Sequence, residues 1–355
     1  MSELRINNIT DTAGSSGPII AGVSTVTSTS HMVMPSGPTE MRGGRGRGVF
    51  GTGYNNAPNS SLNSMQFVTI ATRGNTEDFG DLADSSIGKA SFGSATRGFF
   101  AGGDSVPGQA DNKAIEFTII SSSGGGNDFG DMSSTKAYLN GMSNDVRGFM
   151  VGGATTPEYV NQNTIEFVTM ASTGDATDFG DLSTITRSGS SAASNTRGIL
   201  QLGQTNPLPG NNLIEFITLS TLGNSQNFGE VSTLSKTGAA AVASSTRACF
   251  LAGTGTTGNG SHVSNVIDFV TISTLGNAQD FGDTTVAVSA LAGASNSTRG
   301  LHAGGRTGTP ASEALQDVIG FITIASTGNS QDFGDLVTPT RYLAGCSDSH
   351  GGLGD

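Results

Sequence analysis

Three kinds of residue in this 355-residue chain carry groups able to do chemistry, and each recurs. Asp78-Phe79-Gly80 has the composition of the magnesium-binding triplet of protein kinases. It returns as Asp128-Phe129-Gly130, Asp178-Phe179-Gly180, Asn227-Phe228-Gly229, Asp280-Phe281-Gly282 and Asp332-Phe333-Gly334, with steps of 50, 50, 49, 53 and 52 residues between the phenylalanines. No glycine-rich loop with a partner lysine accompanies it, and an active site does not occur six times. The triplet therefore reads as structure: a turn capped by Asp, with Phe79, Phe129, Phe179, Phe228, Phe281 and Phe333 as packing residues. Paired acids such as Asp128 and Asp131 supply oxygen to calcium, but two carboxylates per turn make a thin shell.

The second recurrent group is an arginine before a small residue: Arg47, Arg97, Arg147, Arg197, Arg247 and Arg299. A repeated charge in a chain that is only 13% charged needs a repeated partner. The recurrent acid that shares the period is the expected one, giving a bidentate pair per repeat. A ring of arginines holding an anionic ligand is the functional alternative. The third group is a run of the type Glu166-Phe167-Val168-Thr169-Met170, alternating as a half-buried strand does.

The remaining reactive residues are scattered. His31, His262, His302 and His350 fall in unrelated places, without metal-ligand spacing. Cys249 and Cys346 are too few for a disulfide framework and lie in predicted strands, as buried free thiols do. Ser and Asp are abundant, but nothing singles out a Ser–His–Asp set. No catalytic, cofactor-binding or metal-ligating residue is assigned, no cofactor is expected, and the chain is read as a non-enzyme.

The elements that must position these groups follow from the period. Each unit of about 50 residues holds four short strands. Strand a is small and apolar, as in residues 136–142 and 239–243. Strand b is the Arg-Gly-aromatic segment that commonly ends in a glycine pair, strand c the Glu-Phe-Val-Thr-Ile run, and strand d the Asp-Phe-Gly segment. Four strands in such a repeat make the blade of a β-propeller. The first unit lacks a strand a before Arg47, while the last runs past strand d into Arg341-Tyr342-Leu343-Ala344-Gly345-Cys346-Ser347. The expected fold is thus all-β: a six-bladed propeller closed by the C-terminal strand joining the first blade. Strand a should line the axis, where crowding favours Gly, Ala and Ser. Sequence varies most in the b–c loops, around Tyr159, Asn206 and His262, which reads as one displayed face where a ligand would bind.

Composition narrows the partners. The net charge of −12 repels phosphate, so no nucleic-acid partner is expected. No apolar run approaches the length of a membrane helix, so no membrane insertion is expected, and the first residues lack the layout of a secretory leader. Residues 1–45 stand outside the repeat and form an arm or anchor segment, with residues 46–355 as the propeller. Residues 1–47 carry four Arg against three acids, whereas the rest carries 13 basic and 26 acidic residues. A slightly basic arm on an acidic propeller fits strand addition to a neighbouring protein, and equally a strap on its own propeller.

The blade length, the four-strand pattern and the glycine pair ending strand b resemble kelch-type propellers, although the Tyr and Trp expected after the glycine pair are missing. Kelch-fold copper oxidases set Tyr, His and Cys around one metal, which these positions do not. Over residues 46–349 the chain is more similar to kelch-like repeat proteins of tailed bacteriophages, especially cyanophages, where Phe-Val-Thr-Ile-Ala-Ser-Thr-Gly-Asn and Asp-Phe-Gly-Asp-Leu phrases recur. The opening segment, residues 4–22, resembles the head of phage virion proteins. That resemblance implies a structural virion component, displayed on capsid, tail, fibre or baseplate and made in the host cytoplasm. It would be present in multiple copies and bound to other virion proteins through residues 1–45. The alternative function is an adhesin that recognises host surface glycan with the b–c loops.

Overall fold

A computed structural model describes residues 19–20, 24–25, 46–56, 59–108, 110–205, 211–232, 236–257, 260–308 and 312–353. The chain divides into two units, Met1–Gly43 and Gly44–Asp355. In the first, Ile19–Ile20 pairs antiparallel with Ser24–Thr25. The second is a six-bladed β-propeller of six four-stranded antiparallel sheets, each ordered a-b-c-d outward from the axis.

Blade 2 shows the pattern: strand a is Ala90–Gly93, b is Arg97–Ala101, c is Ala114–Ile119 and d is Asn127–Asp131. In blade 3 the four are Asn140–Ser143, Arg147–Val151, Val160–Thr169 and Thr177–Thr186. Blade 4 uses Ser190–Ala193, Arg197–Gln201, Leu213–Thr218 and Gln226–Glu230. Blade 5 uses Ala240–Ala243, Arg247–Leu251, Val266–Thr271 and Gln279–Asp283. Blade 6 uses Ala292–Ser295, Arg299–Ala303, Val318–Thr323 and Gln331–Asp335.

Blade 1 is the composite. Its strands b, c and d are Arg47–Asn55, Ser60–Thr69 and Glu77–Asp81, and its innermost strand is Ala344–Ser347 from the far end of the chain. The closing register pairs Gly48 with Ser347, Val49 with Cys346, Phe50 with Gly345 and Gly51 with Ala344. Asp348 fastens the seam: its Oδ1 accepts from the Gly46 amide at 2.7 Å and the Arg47 amide at 3.0 Å. Closure gives strand b of blade 1 the inner partner that strand b has in every other blade, so that edge is not left open.

Each hydrophobic cluster joins two successive blades. One gathers Val49, Met65 and Phe79 of blade 1 with Phe100 and Ile120 of blade 2, and another joins Phe50 and Ile70 of blade 1 to Leu301, Phe321 and Phe333 of blade 6. The Asp-Phe-Gly triplet departs from expectation: it lies inside strand d, not in a turn. In blade 1 the register jumps between Met65–Gly80 and Gln66–Asp78, leaving Phe79 as the extra residue of a β-bulge. The bulge turns Phe79 into the inter-blade core, 1% exposed, while Asp78 stays in solvent and caps nothing. The same jump occurs in the other five blades. A Cβ on Gly80 would lie 2.7 Å from Gly124 O of the next blade, so a side chain there has no room.

Strand a is shorter than expected. Residues 136–139 precede it as a bend with one isolated bridge, Ala137 to Ala154, and 341–343 lead in the same way into the closing strand, with Arg341 bridged to Tyr54. Around the axis, serine hydroxyls tie neighbouring strands a together: Ser143 Oγ donates to Gly93 O at 2.7 Å, Ser191 Oγ to Gly141 O at 3.0 Å, and Ser347 Oγ to Ser295 O at 2.6 Å. Small, partly open cavities of about 60 and about 120 Å³ lie between the strands at the axis.

Candidate functional site

Strand alternation gives the propeller two ends. The a–b and c–d turns lie at one, here called lower. The b–c loops and d–a connections lie at the other, called upper. Strand b runs upward, so the six repeated arginines start at the lower end, and so does residue 46, where the propeller begins.

The repeated arginines do not pair with carboxylates, which corrects the expected ion pair. Each guanidinium lies over the strand c phenylalanine of its own blade, 4.3–4.9 Å from the ring centre. Its Nη1 donates to the carbonyl just past strand c of the next blade: Arg47 to Ile120 O at 3.0 Å, Arg97 to Met170 O at 3.2 Å, Arg147 to Leu219 O at 3.0 Å, Arg197 to Ile272 O at 2.8 Å, Arg247 to Ile324 O at 2.9 Å. Arg299 closes the circuit onto Ile70 O at 3.2 Å. Beneath the arginine, the strand c ring meets the strand d ring edge-on, as for Phe167 and Phe179 at 6.0 Å. Phe129, Phe228, Phe281 and Phe333 are buried in the same way. These side chains hold blade to blade.

The strand c acid makes a further inter-blade link. Glu116 Oε1 accepts from the Ala83 amide at 2.8 Å and Glu166 Oε1 from the Ser133 amide at 2.9 Å. Their charges meet buried lysines that sequence reasoning missed: Lys89 with Glu116, Lys136 with Glu166, and Lys236 with Asp268 at 2.7 Å. Burial pushes the Lys236 ammonium below its usual range and Asp268 opposes the shift. Burial would raise Glu166, but hydrogen bonds from Lys136 and Ser133 hold it low. In blade 6 the acid is replaced by Gly320, and His302 takes the space, with Nε2 3.2 Å from Ser330 Oγ. Burial lowers His302 to about 4, so it packs as a neutral ring. Cys249 and Cys346 are free, and burial pushes both thiols up to about 12. Asp131 pairs with Lys113 at 2.8 Å. Among the described residues no three of His, Cys, Asp and Glu gather as a metal site.

Backbone narrows the axial space at both ends. At the upper end six residues in left-handed backbone form a ring: Gly88, Tyr138, Ser188, Gly238, Ala290 and Tyr342, with φ between 51° and 64°. Amides at or beside these positions donate to the ring carbonyl of a neighbouring blade, from Leu139 N to Gly88 O round to Gly88 N to Tyr342 O. At the lower end the chain turns in after the closing strand as the 3-10 segment Gly351–Leu353, where Gly351 and Gly352 press too closely on Ser244 and Ser143 to leave room for a Cβ.

The non-repeating chemistry sits on the upper ring. Tyr138 meets Tyr159 at 5.9 Å and Tyr342 edge-on at 5.6 Å. The latter contact spans Gly88, where a Cβ would fall 2.8 Å from Tyr138 N. Arg187 lies 4.7 Å over Tyr159, and Arg341 lies 4.6 Å over Tyr54 and 5.3 Å over Tyr342. Glu313 bridges Arg306 at 2.7 Å and Arg341 at 2.6 Å. Burial, with Tyr159 and Tyr342 alongside, pushes the Tyr138 phenol well above its ordinary range. Asp104 is buried beside Asp111, and burial raises it to about 6.

Of the three loop residues singled out from sequence, Tyr159 is thus one member of a larger cluster. Asn206 lies outside the described residues. His262 stands opposite Gly255 in the ribbon Thr254–Thr257/Gly260–Val263, and its side chain is outside the described set. The sequence signal for the cluster was its irregularity: no tyrosine holds a place that all six repeats share. Comparison with known proteins finds no matching family model and no similar curated protein.

Proposed function

We propose that the protein is a non-enzymatic structural component of a phage virion, a rigid propeller displayed on the particle and attached to other virion proteins through residues 1–45. One observation carries this reading. The repeated polar side chains are committed to holding blade on blade, and the axis, where a propeller enzyme would place its reactive groups, is narrow and lined mostly by Gly, Ala and Ser, with His350 against Ser143 the exception. The phage resemblance of the repeat phrases supports the particular setting.

Mass spectrometry of density-purified particles tests the reading. This chain should appear among the virion proteins in multiple copies per particle. Its absence from intact, infectious particles overturns the proposal. A second reading, host attachment through glycan, is favoured by the tyrosine–arginine cluster on the upper end.

A further inference from the structure

We propose that the upper ring is a binding site for an acidic saccharide, a short oligosaccharide bearing carboxylates. This deepens the host-attachment reading and rests on it. Tyr138, Tyr159 and Tyr342 make a continuous half-buried aromatic surface at the upper end of the propeller. Tyrosine rings of this kind take the apolar C–H face of a sugar and offer a hydroxyl at the edge. Arg187 lies at one side of the surface. It donates to Gln204 Oε1 at 3.2 Å, Tyr159 O at 3.2 Å and Asn161 Oδ1 at 3.4 Å, and among the described residues it meets no carboxylate. A guanidinium with only neutral partners beside half-buried rings is suited to a ligand carboxylate.

Two further observations set this surface apart from the blade interfaces. Four of the six ring residues are not glycine yet hold left-handed backbone, and Tyr159 does so as well. Such strain collects at functional surfaces. Buried polar atoms without a partner also concentrate here: Asp104 Oδ1, Arg306 Nε, Arg341 Nε, Ser86 Oγ and Ser289 Oγ. The charge pattern selects the ligand class. Arg187 is the guanidinium here that no carboxylate meets among the described residues, since Glu313 takes Arg306 and Arg341, and Asp104 and Asp111 lie nearby on a chain of net charge −12. A dense polyanion such as nucleic acid is repelled by the surroundings, whereas a sparsely charged saccharide is not.

The chain provides its own probe, because it has no tryptophan and all four tyrosines lie in this cluster. Hexagalacturonate titrated into the full-length protein should change tyrosine emission saturably, and calorimetry should give the same constant. Maltohexaose, the neutral control, should bind at least about tenfold more weakly, as expected for loss of a charge-assisted hydrogen bond. Arg187→Ala should lose about tenfold in affinity for the acidic sugar, with Arg187→Gln replacing it if the alanine variant fails to fold. Thr173→Ala, in an exposed lower turn, should bind as the parent does. Absence of saturable binding by both readouts, equal affinity for the two sugars, or parental affinity in the folded Arg187 variant overturns the inference. The particle assay is separate, so failure of the site and failure of the virion assignment are distinguishable.

Discussion

The blade interfaces and the upper ring follow opposite rules within one molecule. At the interfaces the same solution appears six times: arginine on phenylalanine, phenylalanine edge-on to phenylalanine, and a carbonyl of the next blade to receive the guanidinium. On the upper ring, equivalent positions hold Gly, Tyr, Ser, Gly, Ala and Tyr, in strained backbone with unpaired polar atoms nearby. Repetition marks where the protein spends sequence on stability. Its failure marks where stability is not what the residues serve.

The largest expected effect comes from breaking the ring. Deleting residues 341–355 removes the innermost strand of blade 1 and the lower plug, and the cooperative unfolding transition should be lost, with association through exposed edges visible by size-exclusion chromatography. Next is the repeated core. Phe179→Ala should cost about 3–5 kcal/mol by urea denaturation, because the side chain is 2% exposed between blades 3 and 4. Arg147→Ala loses a hydrogen bond and a ring contact at the half-buried lower end and should cost about 1–3 kcal/mol in the same assay.

The upper ring should respond with the opposite sign. Ser188 has φ 51°, so Ser188→Gly relieves left-handed strain and should stabilise by about 0.5–1 kcal/mol. The effect confined to one pH range concerns Asp104, whose folded value of about 6 stands above the ordinary 3.8. The folded state holds this proton more tightly, so the contribution of Asp104 to stability is full below about pH 4 and is lost as pH rises through about 6. Asp104→Asn should therefore raise the melting temperature at pH 7, leave it nearly unchanged at pH 4, and flatten the slope between. An equal shift at both pH values would remove burial of this carboxylate as the cause.

The repeat made most of the architecture legible. The six phenylalanines announced the blades, and the missing first strand together with the surplus last one announced the closure. The arginines were legible as structural, but their partner was not, because a main-chain carbonyl has no side-chain signature. Lys136 and Lys236 share a repeat position, while Lys89 reaches the same acid site from three residues further along, which blurs the pattern. Strand a reads longer from sequence because Lys136-Ala137-Tyr138-Leu139 alternates as a strand does, although the backbone turns left-handed at Tyr138. Tyr54, Tyr138, Tyr159 and Tyr342 come together only once the ring is closed, so spacing along the chain could not reveal their cluster.

The account stands on closure by the C-terminal strand. Native-state hydrogen exchange of the full-length protein, read peptide by peptide, tests it most directly. Amides of Ala344–Ser347 should exchange as slowly as those of Ser190–Ala193, the equivalent strand in a blade built from continuous chain. Exchange of Ala344–Ser347 at the rate of an unprotected tail, while Ser190–Ala193 stays protected, would contradict it.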